Sequence, residues 1–146
     1  MSRLRAFSFL WVLVALSLVV SACGGTEDDG EIEFPDTSLV QLKSESGALW
    51  LDLRSSPQPP EQGTNHFLAY IVRSEGYRPV TGLDLEVEAW MPAHDHGSPS
   101  EPVVEEEGQG RYLIRNVAFH MAGEWELILR IRGPEEDRFV VGLQID

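Results

Sequence analysis

"EWELILRI", residues Glu124 to Ile131, alternates strictly: Trp125, Leu127, Leu129 and Ile131 are apolar, while Glu124, Glu126 and Arg130 are charged. A helix repeats its apolar face every three to four residues. A period of two marks a strand with one face on a core and the other in water. The same pattern recurs in "LDLEVEAW", with Leu83, Leu85, Val87 and Ala89 inward, and in "RFVVGLQI", with Phe139, Val141, Leu143 and Ile145 inward. "ALWLDLRS" (Ala48 to Ser55) and "NHFLAYIVRS" (Asn65 to Ser74) add two more strands, and "SLVQLKS" (Ser38 to Ser44) and "RYLIRNVAF" (Arg111 to Phe119) are weaker but compatible. Turn signals separate them at Ser46-Gly47, Pro57 to Gly63, Glu75-Gly76, Gly108 to Gly110, Ala122-Gly123 and Gly133-Pro134. Short strands with turns this frequent and no helical stripe predict an all-β fold, a two-sheet antiparallel sandwich of about seven strands. A small closed barrel is the alternative. Glu105-Glu106-Glu107 reads as a solvated turn.

The N-terminus has a different grammar. Arg3 and Arg5 precede an apolar run from Ala6 to Val20, and small residues follow. That is the layout of a secretory signal. The run is about 15 residues, short of the roughly 20 that a membrane span needs. Its end, "VSAC" (Val20 to Cys23), resembles the lipobox of bacterial lipoproteins. The resemblance implies a signal peptide over 1–22 and an acylated Cys23 as first residue of the mature chain. Each buried methylene contributes about 0.8 kcal/mol, so several acyl chains hold a protein to a membrane that it does not cross. Gly24 follows the cysteine, with no aspartate there, which resembles outer-membrane rather than inner-membrane lipoproteins and implies a periplasmic face. Cys23 is the chain's one cysteine, so no internal disulfide can form.

Residues 23–36 are small and acidic and read as a flexible tether; residues 37–146 form the domain. The whole chain has 11 basic and 24 acidic residues, a net charge of −13. Losing Arg3 and Arg5 with the signal leaves 9 against 24, or −15. A surface that acidic excludes nucleic acid as an expected partner.

Scarce residues cluster in two places. "WMPAHDHG", Trp90 to Gly97, holds two of the four histidines and one of the three methionines. "FHMAGEW", Phe119 to Trp125, holds His120 and Met121. Pro92 cannot donate a ladder hydrogen bond, so the preceding strand should end there and present the histidines on a loop. If a metal binds, the donor set points to copper, since imidazole suits copper and zinc while thioether sulfur favours Cu(I). The candidate ligands are Met91, His94, His96, His120 and Met121, with Asp95 or water available to Cu(II). Structural zinc leans on cysteine, and a blue-copper centre needs a cysteine thiolate within the fold. The competing reading is structural: histidines bonded within their loops, Met121 as packing, and His66 as a strand residue with a satisfied ring. No glycine-flanked nucleophilic serine and no phosphate loop appears, so no enzyme activity is expected.

Val87 to Ile131 resembles the YtkA-like domain, a family related to FixH-like proteins. The family shows an "MPxHxHG" loop, a "GxY" strand, and "F-x-MxGxW" leading into the last strands. Met91, Pro92, His94, His96 and Gly97 match the first element, Gly110 and Tyr112 the second, and Phe119, Met121, Gly123 and Trp125 the third. Ala122 stands where proline or a similar residue is common. The resemblance implies an exported immunoglobulin-like sandwich, often lipid-anchored, with some relatives linked to copper handling or oxidase assembly. A protein that donates or accepts copper would then be a partner.

Overall fold

The computed structural model describes residues 32–134 and 136–146. The signal peptide expected at 1–22, Cys23 and the tether up to residue 31 lie outside the described residues. Residues 32–36, the end of the expected tether, carry no strand, and Arg54 donates a hydrogen bond to the Pro35 carbonyl (3.1 Å).

Nine strands follow: β1 (Val40–Lys43), β2 (Leu49–Ser56), β3 (Gly63–Arg73), β4 (Asp84–Met91), β5 (His96–Gly97), β6 (Val103–Gly108), β7 (Arg111–Phe119), β8 (Gly123–Arg132) and β9 (Asp137–Ile145). They form two antiparallel sheets, ordered β1-β2-β3-β7-β6 and β5-β4-β8-β9. Among the described residues no helix is long and apolar enough to cross a membrane.

The alternation read from the sequence sets which face is buried. Leu85, Val87, Ala89 and Met91 of β4, Trp125, Leu127, Leu129 and Ile131 of β8, and Phe139, Val141, Leu143 and Ile145 of β9 point into one core. They meet Leu51 and Leu53 of β2, Phe67, Ala69 and Ile71 of β3, and Tyr112, Ile114, Val117 and Phe119 of β7. Each of the larger aliphatic and aromatic side chains contributes roughly 1.5–3 kcal/mol on leaving water, so the interleaved faces are the main source of stability.

Two strands exceed the seven expected. β5 is a two-residue return of the histidine loop. β6 contains Glu105 to Glu107, so the expected solvated turn is an edge strand. Three consecutive carboxylates are tolerable there because an edge needs charge to discourage pairing with other chains. They are also partnered: Arg115 pairs with Glu105 at 3.5 Å, Arg111 with Glu107 at 3.1 Å, and Glu106 accepts from the Gly82 N–H at 3.0 Å.

β7 departs from simple alternation. Continuing the phase of Tyr112 and Ile114 would turn Asn116 and Ala118 inward. Instead Val117 and Phe119 are buried. Asn65 pairs with Val117 and Phe67 with Ile114, so Arg115 and Asn116 together oppose His66. This is a β-bulge, and Asn116 supplies the left-handed backbone it needs (φ 63°), which asparagine tolerates. The bulge fixes the phase at which β7 reaches His120. His66 lies on its outer side, where burial, then the Arg115 guanidinium, lowers its imidazole pKa. Its Nδ1 has no hydrogen-bond partner, so the satisfied ring expected from the sequence is not seen.

Tyr112 ties the two sheets together. Its hydroxyl donates to the Val80 carbonyl (2.9 Å) and accepts from the Leu83 N–H (3.2 Å), fixing the connection between β3 and β4. Two residues earlier, Gly110 has φ +77°, and an added Cβ would stand 2.5 Å from the Ile71 carbonyl oxygen. The Gly-x-Tyr spacing therefore serves a close backbone crossing followed by an anchor. Gly110→Ala should cost about 2 kcal/mol or more, from backbone strain plus the clash. Urea unfolding checks it; an unshifted midpoint would show that the crossing relaxes freely.

Candidate metal centre

The histidine loop is a four-residue hairpin. Met91 pairs with His96 and Trp90 with Gly97, which encloses Pro92 to Asp95. Pro92 opens a single 3-10 turn over Pro92–His94, where its fixed φ is already suitable. Asp95 closes it with left-handed backbone (φ 53°) and donates its N–H to the Pro92 carbonyl at 3.4 Å. The aspartate between the histidines thus has a conformational role. Ser98 N–H donates to the Ala89 carbonyl (2.8 Å) and ties the returning strand back to β4.

β4 keeps its phase to the end, so Met91 points inward and is 2% exposed. Its methyl lies 2.6 Å from where a Cβ on Gly123 would be. Gly123, with φ +134°, is therefore the residue that lets β8 start over the methionine. His94 is exposed and His96 half-buried.

The β7–β8 turn arrives beside this hairpin. His120 is exposed, and Met121 is half-buried against the core. The His94 and His96 ring centroids are 5.7 Å apart, tilted 41°, and those of His96 and His120 are 5.2 Å apart, tilted 29°. Beneath them lies Trp125, 1% exposed. Its indole is 5.1 Å from His120, 6.3 Å from His96 and 5.4 Å from Phe119. Its Nε1–H donates to the Met121 carbonyl at 3.0 Å. From the β2–β3 loop, Gln62 donates to the His120 carbonyl at 3.0 Å. His96 Nδ1 lies 3.3 Å from the Gly97 carbonyl oxygen.

All five residues singled out in the sequence therefore belong to one end of the sandwich. His66 is on the outer side of the β7 bulge. Trp125 and Gln62 were not marked as site residues by the sequence. Trp125 reads there as core, which it is, and nothing in the local pattern of Gln62 distinguishes it.

Metal–imidazole nitrogen bonds are about 2.0–2.1 Å, so two rings on one ion have centroids at most roughly 6.4 Å apart. Both measured separations fall inside that limit. The donor types also suit a soft or borderline ion. As placed, no group of three or more His, Cys, Asp or Glu among the described residues is arranged to hold an ion. The small tilt between His96 and His120 lays the rings alongside each other. Convergence requires rotation about the side-chain bonds, which is open to the exposed His94 and His120.

A small β-sandwich that gathers three imidazoles at one end, with Met91 buried below, is the class of protein that fold and site define. A profile of the family described as YtkA-like matches residues 44–130, and the chain belongs to that family. No curated protein sequence matches it. Among solved structures, a copper-bound variant of FetP from uropathogenic Escherichia coli is similar at 11% identity, with 72% of this chain and 91% of that chain covered and a TM-score of 0.45. That likeness is too distant to place any residue.

Trp125→Ala should destabilise the domain by about 3–5 kcal/mol, the usual cost of emptying a buried tryptophan site. Denaturant unfolding with near-ultraviolet circular dichroism reads the effect. An unchanged midpoint would mean that the indole does not hold this end of the core.

Proposed function

We propose that the protein is an exported lipoprotein, tethered to the periplasmic face of the outer membrane through Cys23, whose sandwich domain binds copper and passes it to or from another protein. The observation that carries this reading is the juxtaposition of His94, His96 and His120, which come from two loops; Met91 pairs with His96 across the hairpin, and Met121 follows His120 in the chain. Imidazole and thioether together are a copper-selective combination. Exposure of His94 and His120 suits exchange with a partner, and the role assigned is binding, with no catalytic step. In this reading His94 and His96 are the principal ligands, His120 joins by turning toward His96, and the methionines supply the soft donors.

A second reading, a structural or protein-interaction sandwich, is favoured by one observation: Met91 is buried, with its methyl packed at Gly123. Titration of the purified protein with Cu(II), and with Cu(I) under reducing conditions, separates the two. Wild type should bind tighter than micromolar, the His94→Ala/His96→Ala variant at least about tenfold more weakly, and Zn(II) more weakly than Cu(II). Equal copper binding by both proteins, or none tighter than micromolar, selects the structural reading. For the anchor, mass spectrometry of the Cys23 peptide should show added acyl mass, and Cys23→Ser should leave membrane fractions or remain unprocessed. An unmodified Cys23 in wild-type protein would refute the lipoprotein assignment.

A further inference from the structure

The edges of the two sheets are not alike. β1 and β5 are edge strands of four and two residues, and β6 carries three glutamates in a row. Short or charged edges of that kind resist pairing with another chain. β9 is the exception. It lies at the edge of its sheet, pairs only with β8 among the described strands, and is nine residues long. Its charges sit at its start, Asp137 and Arg138; from Phe139 to Ile145 it has no charge, no proline and no shift of register. The open side of its backbone can be identified. Arg138 donates its N–H to the Asp137 carboxylate (2.9 Å), and its carbonyl accepts from the Glu45 N–H (2.9 Å), so its peptide groups turn away from β8. Backbone direction alternates along a strand, so those of Val140, Gly142 and Gln144 turn the same way. The β1–β2 turn closes the edge at Arg138. Beyond it, no loop or strand among the described residues bonds to that side.

We propose that the free edge of β9 pairs with β9 of a second copy of this chain, antiparallel about a two-fold axis at Gly142, so that two four-stranded sheets become one continuous sheet. This goes beyond the copper reading and does not depend on it. A two-fold contact must be complementary to itself. With Gly142 opposite its own copy, Val140 meets Gln144 and Arg138 meets Asp146, so both ends close on unlike charges. Moving the axis one residue toward the start of β9 sets Glu136 against Asp146, and moving it one residue the other way carries Arg138 past Asp146. Arg138 already pairs with Glu45 at 2.6 Å, and the five N–H groups of a guanidinium serve two carboxylates. A groove of roughly 430 Å³ also opens beside the end of β9, lined by Pro59, Pro60, Glu61, Gln62, Gln144 and Asp146. Its acidic residues suit the second copy's Arg138. At the axis, Gly142 keeps the outer face clear where two side chains would stand directly opposite. The position of its missing Cβ has no atom within 4 Å. One strand pair is a small contact and both copies are acidic, so the dimer is weak, with a Kd above about 1 μM.

The test is sedimentation equilibrium of the purified protein up to about 1 mM, in salt of about 0.15 M, where a Debye length of about 8 Å limits repulsion between the copies. Wild type should pass from monomer to dimer across that range. Gly142→Lys sets two like charges opposite each other at the axis and should weaken the dimer about fivefold or more, with the fold of the monomer intact because the site is open. If that variant does not fold, the charge exchange decides: Asp146→Lys should weaken the dimer about threefold, and Arg138→Glu/Asp146→Lys should restore it. Amide hydrogen exchange adds a readout at single residues. The N–H groups of Val140, Gly142 and Gln144 should slow as protein concentration rises, while those of Val141 and Leu143, bonded to β8, are slow throughout. A protein that stays monomeric to 1 mM would overturn the proposal. So would a dimer indifferent to Gly142→Lys, no recovery in the double charge variant, or exchange at the three edge amides that ignores concentration.

Discussion

Burial of the Trp125 indole constrains the end of the sandwich on which the histidines stand. The side chain is too large to accommodate at a sheet end without partners, and it finds them in Phe119, His96 and His120. Its single polar atom also needs a partner once it is out of water, and the Met121 carbonyl supplies one. Those two requirements draw the β7–β8 turn and the β4–β5 hairpin onto the same ring. The glycine between them follows from the same crowding. With Met91 buried under the start of β8, a side chain at 123 would collide with its methyl.

The outer surfaces follow a different rule. Glu86 and Glu88 of β4 face Arg132 and Arg130 of β8 in ion pairs, and Arg138 pairs with Glu45 at 2.6 Å. Pairs of this kind, partly or largely in water, contribute about 0–1 kcal/mol each. Their larger role is to keep a strongly acidic chain from repelling itself across strands, where like charges would face each other. Asp137 caps the start of β9. Burial raises its pKa, but hydrogen bonds from Ser44, Ser46 and the Arg138 N–H outweigh that and hold it below the ordinary value. A lowered carboxylate pKa stabilises the fold above the carboxylate range, and that contribution is lost as pH falls through the folded-state pKa.

The glycines and the tyrosine of the family motifs have structural duties in this chain. Gly110 permits a backbone crossing, Tyr112 bridges the connection between the sheets, Gly123 clears Met91, and Pro92 with Asp95 shapes the hairpin. Met91 and Met121 also serve the packing, which leaves the imidazoles of His94, His96 and His120 as the motif groups to which the fold gives no structural duty. Their grouping is therefore what the functional reading draws upon.

Period-two alternation in "LDLEVEAW", "EWELILRI" and "RFVVGLQI" determined the fold class and the inward faces of β4, β8 and β9, because the pleat ties side-chain direction to residue parity. The same parity predicts that Met91 is buried, two residues beyond Ala89. Scarcity of histidine and methionine marked the two loops as one candidate site. Parity fails in β7, where the bulge at Arg115 and Asn116 turns Val117 and Phe119 inward. It also fails to show β6, where three glutamates in a row look like a turn until pairing with β7 gives them partners. Whether two loops far apart in sequence meet depends on which strands neighbour each other and on the phase at which each ends. Those are properties of sheet order and the bulge, so the 5.2 Å approach of His96 to His120 over Trp125 was decided by the tertiary structure alone.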